Sequence, residues 1–215
     1  MITHHDGKTR FGLAAFALAL SLLPTVRAEA QNRMPPIPPE KMTEAQKKAA
    51  ADYTAARGAL SGPWVVFLRS PEVVNRARPL SDYLRFNSSL SPKISEFIVL
   101  ITTREWSQAY AWNSHYVLAV KNGISPAIAA ALGEGRRPEK MAADEEAAYD
   151  FCTELYANHS VSDATYAKAM AAFGEQGIID MVGVQGWYTM VSMALNASRA
   201  PAPEKPASVI TPFPQ

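Results

Sequence analysis

The hydrophobic and polar positions in the central part of the chain, and the residues that separate them, are typical of α-helices. A first helix is predicted over residues 44–57, where Thr43 can act as the N-cap, Gln46 occupies the reciprocal capping-box position and Gly58 ends the helix. No run alternates apolar and polar residues for long enough to predict a strand. The pattern therefore predicts an all-α fold.

Three Ser-Pro pairs predict further helix starts, because the hydroxyl can cap the first turn and a proline at the first helical position loses no hydrogen bond. These pairs begin at Ser70, Ser91 and Ser125, and Gly123 is expected to close the helix that precedes the third pair. Helices are also predicted over roughly 142–158, 163–173 and 175–196, the second of these capped by Ser162.

The N-terminal region has the pattern of a signal peptide. Lys8 and Arg10 precede an apolar run over residues 11–23, which is shorter than the ~20 residues that span a bilayer. Small residues in the segment 28–30 predict cleavage after Ala30, which would place the mature protein in the periplasm or outside the cell with no membrane attachment. An uncleaved membrane anchor is the alternative, and the short run disfavours it.

Proline-rich segments flank the predicted helices. Residues 31–40 hold four prolines in five positions, which favours an extended arm, and residues 200–215 hold five prolines without helical periodicity. We expect such a tail either to be loose or to lie over another surface, such as a neighbouring subunit. A single helical domain is predicted between them, over residues 41–199.

Composition and charge narrow the possible functions. The chain is 48% hydrophobic and has 21 Lys and Arg against 20 Asp and Glu, which excludes disorder as the main state and disfavours nucleic acid as a partner. The one cysteine, Cys152, cannot form an internal disulfide or a two-cysteine redox pair. The four histidines have no metal-ligand spacing, so no metal site is predicted.

Most of the side chains that could take part in catalysis lie between residues 92 and 122. An unbroken helix would hold Glu96 and His115 ~28 Å apart, because they are nineteen residues apart in the chain. Residues of weak helix propensity around Trp106 and Ser107 predict a turn that would bring the carboxylate to the imidazole. The two side chains would then form a general acid/base pair.

Five stretches of the chain occur in a characteristic order. They are GPWVVFLRSPEV (62–73), SDYLRF (81–86), SPKISEFIVLITTREW (91–106), YAWNSH (110–115) and AVKNGIS (119–125). Together they resemble the carboxymuconolactone decarboxylase family, which belongs to the alkylhydroperoxidase D-like superfamily of helical proteins. The resemblance extends over roughly residues 60–132 and implies the superfamily's helical fold.

Within this resemblance, Glu96 matches the superfamily's helix glutamate and His115 matches its histidine. The peroxidase branch of the superfamily has a Cys-x-x-Cys pair at the positions of Gln108 and Ala111, and neither residue is cysteine here. Disulfide-based peroxide reduction needs both thiols, so the chain is not expected to be a thiol peroxidase.

The decarboxylase branch often shows Tyr-Glu-Trp-x-x-His. This chain keeps Tyr110, Trp112 and His115 but has Ala111 at the glutamate position. The resemblance implies a cofactor-independent lyase that acts by proton transfer on a small carboxylated lactone or a related oxygenated ring compound. A small-molecule-binding protein without catalysis, and a hydrolase or isomerase on the same scaffold, are the alternatives.

The resemblance also implies roles for particular residues and an assembly. His115 would be the acid/base group and Glu96 its orienting partner or a second proton carrier. Trp112 would form an apolar wall, and the possible substrate contacts are Arg104, Gln108 and Tyr110. Weaker candidates are Tyr83, Arg85 and Trp187. Trimers or hexamers with active sites near subunit contacts are implied, with the apolar segment 178–195 as a candidate contact surface.

The alternative for both central residues is a structural role. His115 would then be a core histidine bonded to a backbone carbonyl, and Glu96 would be an exposed charge on a helix.

Overall fold

The computed structural model describes Met1 and residues 32–211 and contains eight α-helices and no strand in that part of the chain. A short 3-10 helix, Pro39–Lys41, is followed by α1 (Glu44–Arg57), α2 (Pro63–Phe67), α3 (Pro71–Phe86), α4 (Pro92–Glu105), α5 (Ala109–Lys121), α6 (Pro126–Gly133), α7 (Ala143–Asn158) and α8 (Asp163–Ser198). The all-α prediction is confirmed. The predicted signal segment lies outside the described residues.

The helix starts follow the predicted capping residues. The Thr43 hydroxyl accepts a hydrogen bond from the Gln46 backbone at 3.2 Å while the Gln46 side chain accepts one from the Thr43 backbone, so the capping box is confirmed. The hydroxyls of Ser91 and Ser125 cap α4 and α6 by accepting one backbone hydrogen bond each, without a reciprocal bond. Ser70 precedes α3 but makes no capping hydrogen bond through its side chain, so that part of the prediction is wrong.

The two helices predicted over 163–173 and 175–196 meet at Gly174, which interrupts α8. Gly174 has a φ of 66°, a conformation that costs glycine little because it has no Cβ. Helix α2 was not predicted, since its five residues are too few to show a helical period. Gly123, with a φ of 104°, lies directly after α5, as expected for a helix-ending glycine.

Helix α4 forms the centre of the domain. Its residues 97–101 are apolar and at most 3% exposed, and the helix packs against α5, α7 and α8. A helix that is apolar on nearly all sides is stable only when neighbours cover all of it. Each large apolar side chain buried in this way contributes roughly 1.5–3 kcal/mol.

The chain reverses direction between α4 and α5, where the sequence predicted a turn. Helix α4 ends at Glu105, and Ser107 adopts a left-handed conformation with a φ of 46°. The Gln108 side chain then caps α5 by accepting hydrogen bonds from the Tyr110 and Ala111 backbone at 2.7 and 3.2 Å. The predicted turn is therefore confirmed, and it lays α5 against α4.

Both proline-rich segments lie on helices of the same chain as far as they are described. The Arg33 backbone donates a hydrogen bond to the Ser198 carbonyl at 2.8 Å. At the other end, the Ser208 backbone donates to the Asn113 side chain at 3.1 Å, and Ile210 is only 6% exposed. The described parts of both segments therefore contact the helical domain. Among the described helices, none has the length and hydropathy to span a membrane.

Candidate active site

The reversal between α4 and α5 brings Glu96 into contact with His115. The Nδ1 atom of His115 lies 2.6 Å from Oε2 of Glu96, and the two side chains are 10% and 14% exposed. The imidazole also meets the ring of Tyr188 edge-on, with 4.8 Å between the ring centroids. Two contacts thus fix the imidazole, and within the described residues its Nε2 atom makes no hydrogen bond.

His115 forms part of the wall of a pocket of about 200 Å³. Five of the fifteen other lining residues are aromatic: Tyr53, Trp64, Tyr110, Trp187 and Tyr188. Ligand sites for drug-sized molecules occupy about 300–1,000 Å³, so this pocket suits a smaller molecule, of the size of a single substituted ring.

The pocket is electropositive. Its lining contains Arg57 and Arg85 but no aspartate or glutamate. Asp82, the acidic partner of Arg57, lies outside the lining and also pairs with Arg78 at 3.3 Å. A small anion would therefore be attracted into this cavity.

Two tyrosines of the wall stay protonated at neutral pH. Burial raises the pKa of Tyr188 above its ordinary range, and the nearby Arg85 guanidinium opposes this shift only in part. Burial also raises the pKa of Tyr53, against the lowering effect of the neighbouring Arg57. Both phenols can therefore donate a hydrogen bond at neutral pH but do not act as bases.

No family model matches the sequence, and no curated protein matches it. Solved structures do match the fold. A protein of unknown function from Agrobacterium tumefaciens, proposed to be the antioxidant defence protein AhpD, has 16% identity and a TM-score of 0.58 over 65% of this chain and 96% of its own. The AhpD core of an uncharacterized peroxidase-related protein from Ralstonia eutropha has 14% identity and a TM-score of 0.65. The match covers 80% of this chain and 92% of the Ralstonia chain.

An uncharacterized peroxidase-related protein from Silicibacter sp. has 16% identity and a TM-score of 0.60 over 77% of this chain and 87% of its own. At this level of identity the likeness extends to the fold. The chain has an AhpD-like helical fold. Its activity has to be argued from its own residues.

The AhpD-like fold places only some of the sequence candidates at the pocket. Tyr110 and His115 line it, as do the weaker candidates Arg85 and Trp187. Gly62 allows Tyr110 its position, because a Cβ at Gly62 would lie 3.2 Å from the tyrosine ring, and a φ of 57° already favours glycine there.

The other candidates do not line this pocket. Gln108 caps α5 and donates a hydrogen bond to the Asn196 side chain at 2.8 Å. Trp112 is fully buried against Gly133, and the buried Arg104 has its guanidinium beside Gly135. The weaker candidate Tyr83 bonds to Asp180 instead.

Several lining residues were not among the sequence candidates. Arg57 is the last residue of α1, Trp64 belongs to α2 and Ser81 belongs to α3. A basic residue in the last turn of a helix is ordinary, since it complements the helix dipole, so Arg57 gave no signal of a site. Trp64 and Ser81 fall within the stretches 62–73 and 81–86 that carry the family resemblance, and this was the available sign for these two residues.

Cys152 lies in α7, is 0% exposed and does not line the pocket. Burial raises the pKa of its thiol to about 12. Within the described residues, no group of three or more histidine, cysteine, aspartate and glutamate side chains could hold a metal ion. The pair of Glu96 and His115 is therefore the candidate acid/base group at the described pocket.

Proposed function

We propose that this protein is a cofactor-independent enzyme that acts by proton transfer on a small carboxylated ring compound, such as a lactone, with a lyase-like outcome. The observation that supports this is the 2.6 Å contact between Glu96 and His115 in the wall of a small, electropositive pocket. A carboxylate beside one ring nitrogen orients an imidazole and stabilises its protonated form, which is what general acid/base catalysis requires.

In this proposal, Nδ1–H of His115 donates to Glu96, and Nε2 is the nitrogen that exchanges a proton with the substrate. For a decarboxylation, the bond between the carboxylate carbon and the ring breaks, and carbon dioxide leaves. The electron pair stays on the ring carbon and is delocalised into the conjugated carbonyl group. Protonated His115 then delivers a proton to that carbon and recovers one from water.

We propose further that the protein is not a thiol peroxidase. Gln108 and Ala111 occupy the positions of the paired cysteines of the peroxidase branch. Cys152 is buried away from the pocket and protonated at neutral pH, so the chain offers no thiolate at the site.

A second candidate is a binding protein that holds a small ring compound without converting it. It is favoured by Ala111, which lines the pocket at the position where the decarboxylase branch has a glutamate. Loss of that side chain removes a potential proton carrier but leaves the pocket able to bind an anion.

Variants of the pair test the proposed function. His115→Ala should lower turnover of a carboxylated lactone by roughly 10²–10⁴ while the helical fold remains. Glu96→Gln preserves the side-chain size and should lower turnover more than the melting temperature. His159→Asn is a matched control, because His159 is a histidine at the end of α7 that does not line this pocket.

Turnover per folded protein and melting temperature should be measured on the same samples. If His115→Ala and Glu96→Gln melt early but turn over substrate at the wild-type rate, the residues are structural and the catalytic proposal fails. If wild-type protein binds small carboxylates but converts none of them, the binding protein is the better description.

We also propose that the protein forms a homo-oligomer. Helix α8 exposes Ile179, Val182, Met190 and Met193, which are 37–69% exposed. Their spacing places them on one face of the helix, which we call the α8 apolar face. Monomeric proteins rarely expose contiguous apolar surface, so a second subunit is its expected cover.

A further inference from the structure

We propose that Arg85, assisted by Arg57, is the anion-binding group of the pocket and selects ligands that carry a carboxylate on a small ring. The possible substrate contacts from the sequence were Arg104, Gln108 and Tyr110, while Arg85 was a weaker candidate and Arg57 was not a candidate. The proposal rests on the proposed function only in taking the bound carboxylate as the substrate.

The charges around the pocket leave Arg85 without an acidic partner. Asp82 is shared by Arg57 and Arg78, and Glu96, the other acidic group near this wall, contacts His115. Arg85 makes no ion pair within the described residues, and its Nε atom is buried without a hydrogen-bond partner. Arg85 lines the pocket and has no carboxylate partner there, so an anionic ligand would supply the counter-charge of its guanidinium group.

The guanidinium groups of Arg57 and Arg85 both lie near the ring of Phe86. The central carbon of Arg85 lies 5.0 Å from the centroid of the Phe86 ring, and that of Arg57 lies 5.4 Å from the same centroid. Both cations therefore lie beside the same aromatic ring, although Phe86 itself is exposed and does not line the pocket. A planar carboxylate can accept two parallel hydrogen bonds from a guanidinium group, a geometry that an ammonium group does not offer.

The anion site and the acid/base pair share a neighbour. Tyr188 meets His115 edge-on at 4.8 Å and also lies within the electrostatic influence of Arg85 and Glu96. A ligand held by Arg85 would thus lie in the same pocket as the imidazole. The indole rings of Trp64 and Trp187, with centroids 5.6 Å apart, form an apolar wall suited to the ring of such a ligand.

The lining contains no acidic residue, which favours carboxylate ligands over neutral ones. Ala111 lines the pocket, so no carboxylate projects from this position toward the arginines. A neutral ligand of the same shape would leave the Arg85 charge without a counter-ion. Discrimination between a carboxylate and its amide analogue should therefore be large.

Equilibrium binding of benzoate and benzamide to the full chain tests this inference, read by the fluorescence of the pocket tryptophans and by calorimetry. Benzoate should bind wild-type protein at least about tenfold more tightly than benzamide, and added salt should weaken benzoate binding. Arg85→Gln should weaken benzoate binding by about tenfold or more and leave benzamide binding unchanged. Arg76→Gln is the matched control, because Arg76 lies on the same helix, is exposed and pairs with Glu72.

Arg85→Lys keeps the charge without the planar fork, so its benzoate affinity should fall between those of wild type and Arg85→Gln. Circular dichroism shows whether each variant is folded. The proposal is overturned if wild type does not bind benzoate, if benzamide binds equally well, or if both folded Arg85 variants bind benzoate as wild type does. These readouts need no turnover, so His115→Ala that binds benzoate normally but is inactive separates this inference from the proposed function.

Discussion

At the scale of single residues, His115 and Cys152 are both buried. Their surroundings differ. The imidazole has a carboxylate at 2.6 Å and forms part of a pocket wall, whereas the thiol is fully buried in α7, away from the pocket. Burial without an opposite charge nearby suppresses ionisation of the thiol.

The buried thiol gives a prediction about pH and stability. Because the pKa of Cys152 rises from 9.0 to about 12 on burial, its contribution to stability is fully present below pH 9 and is lost as the pH rises toward 12. Urea unfolding at pH 8 and pH 10 should show a larger loss of unfolding free energy for wild type than for Cys152→Ala. Equal losses in the two proteins would contradict this account.

Alkylation by iodoacetamide at pH 8 is the companion measurement. The native thiol should react only slowly and should react fully in denaturant, since the thiolate is the nucleophile. Fast labelling of folded protein would show that Cys152 is accessible. It would also contradict the proposal that the protein has no thiol-based activity.

At the scale of helices and turns, the site depends on how α4 and α5 begin and end. The hydroxyl of Ser91 accepts a hydrogen bond from the Ile94 backbone at 3.3 Å and so fixes the start of the helix that carries Glu96. The Gln108 cap fixes the start of the helix that carries His115. Two local caps therefore position the two members of the pair.

Removing the cap of α4 should destabilise the protein measurably. Ser91→Ala should lower the free energy of unfolding by about 1 kcal/mol, because one backbone N–H of the first turn loses its acceptor. Ser70→Ala is the matched control, since Ser70 also precedes a proline-initiated helix but makes no capping hydrogen bond. Equal losses in the two variants, measured by urea unfolding, would show that the cap geometry does not account for the effect.

At the scale of the whole molecule, the pocket is enclosed by helices that are distant in sequence. Its wall combines residues of α1, α2, α3, α5 and α8. The α8 apolar face lies on the longest of these helices, so the proposed assembly and the site would depend on the same element. Export to the periplasm stays a prediction, because the signal segment lies outside the described residues.

Charge placed on the α8 apolar face should separate the subunits. Met193→Lys should shift the mass in solution toward that of a monomer, because an ammonium group would be buried at the proposed contact. Val117→Lys is the control, since Val117 is also exposed but lies on α5. Light scattering coupled to size exclusion measures the mass, and a wild-type protein that is already monomeric would refute the proposed assembly.

The sequence by itself determined most of the helices and where they begin. Capping residues, Ser-Pro pairs and helix-ending glycines act within a few residues of chain, so the helix starting after Thr43 and the turn after Glu105 could be predicted from local patterns. The contact between Glu96 and His115 followed from that turn, because a reversal between two adjacent helices leaves few arrangements for the side chains on their facing sides.

Only the tertiary structure decided which other residues reach the pocket. Gln108 and Arg104 are close to His115 in sequence, yet neither lines the pocket. Arg57 and Arg85 are thirty or more residues away and do line it. The physical reason is that pocket walls form where separate helices pack, and packing is set by burial of apolar surface over the whole chain, which no local spacing encodes.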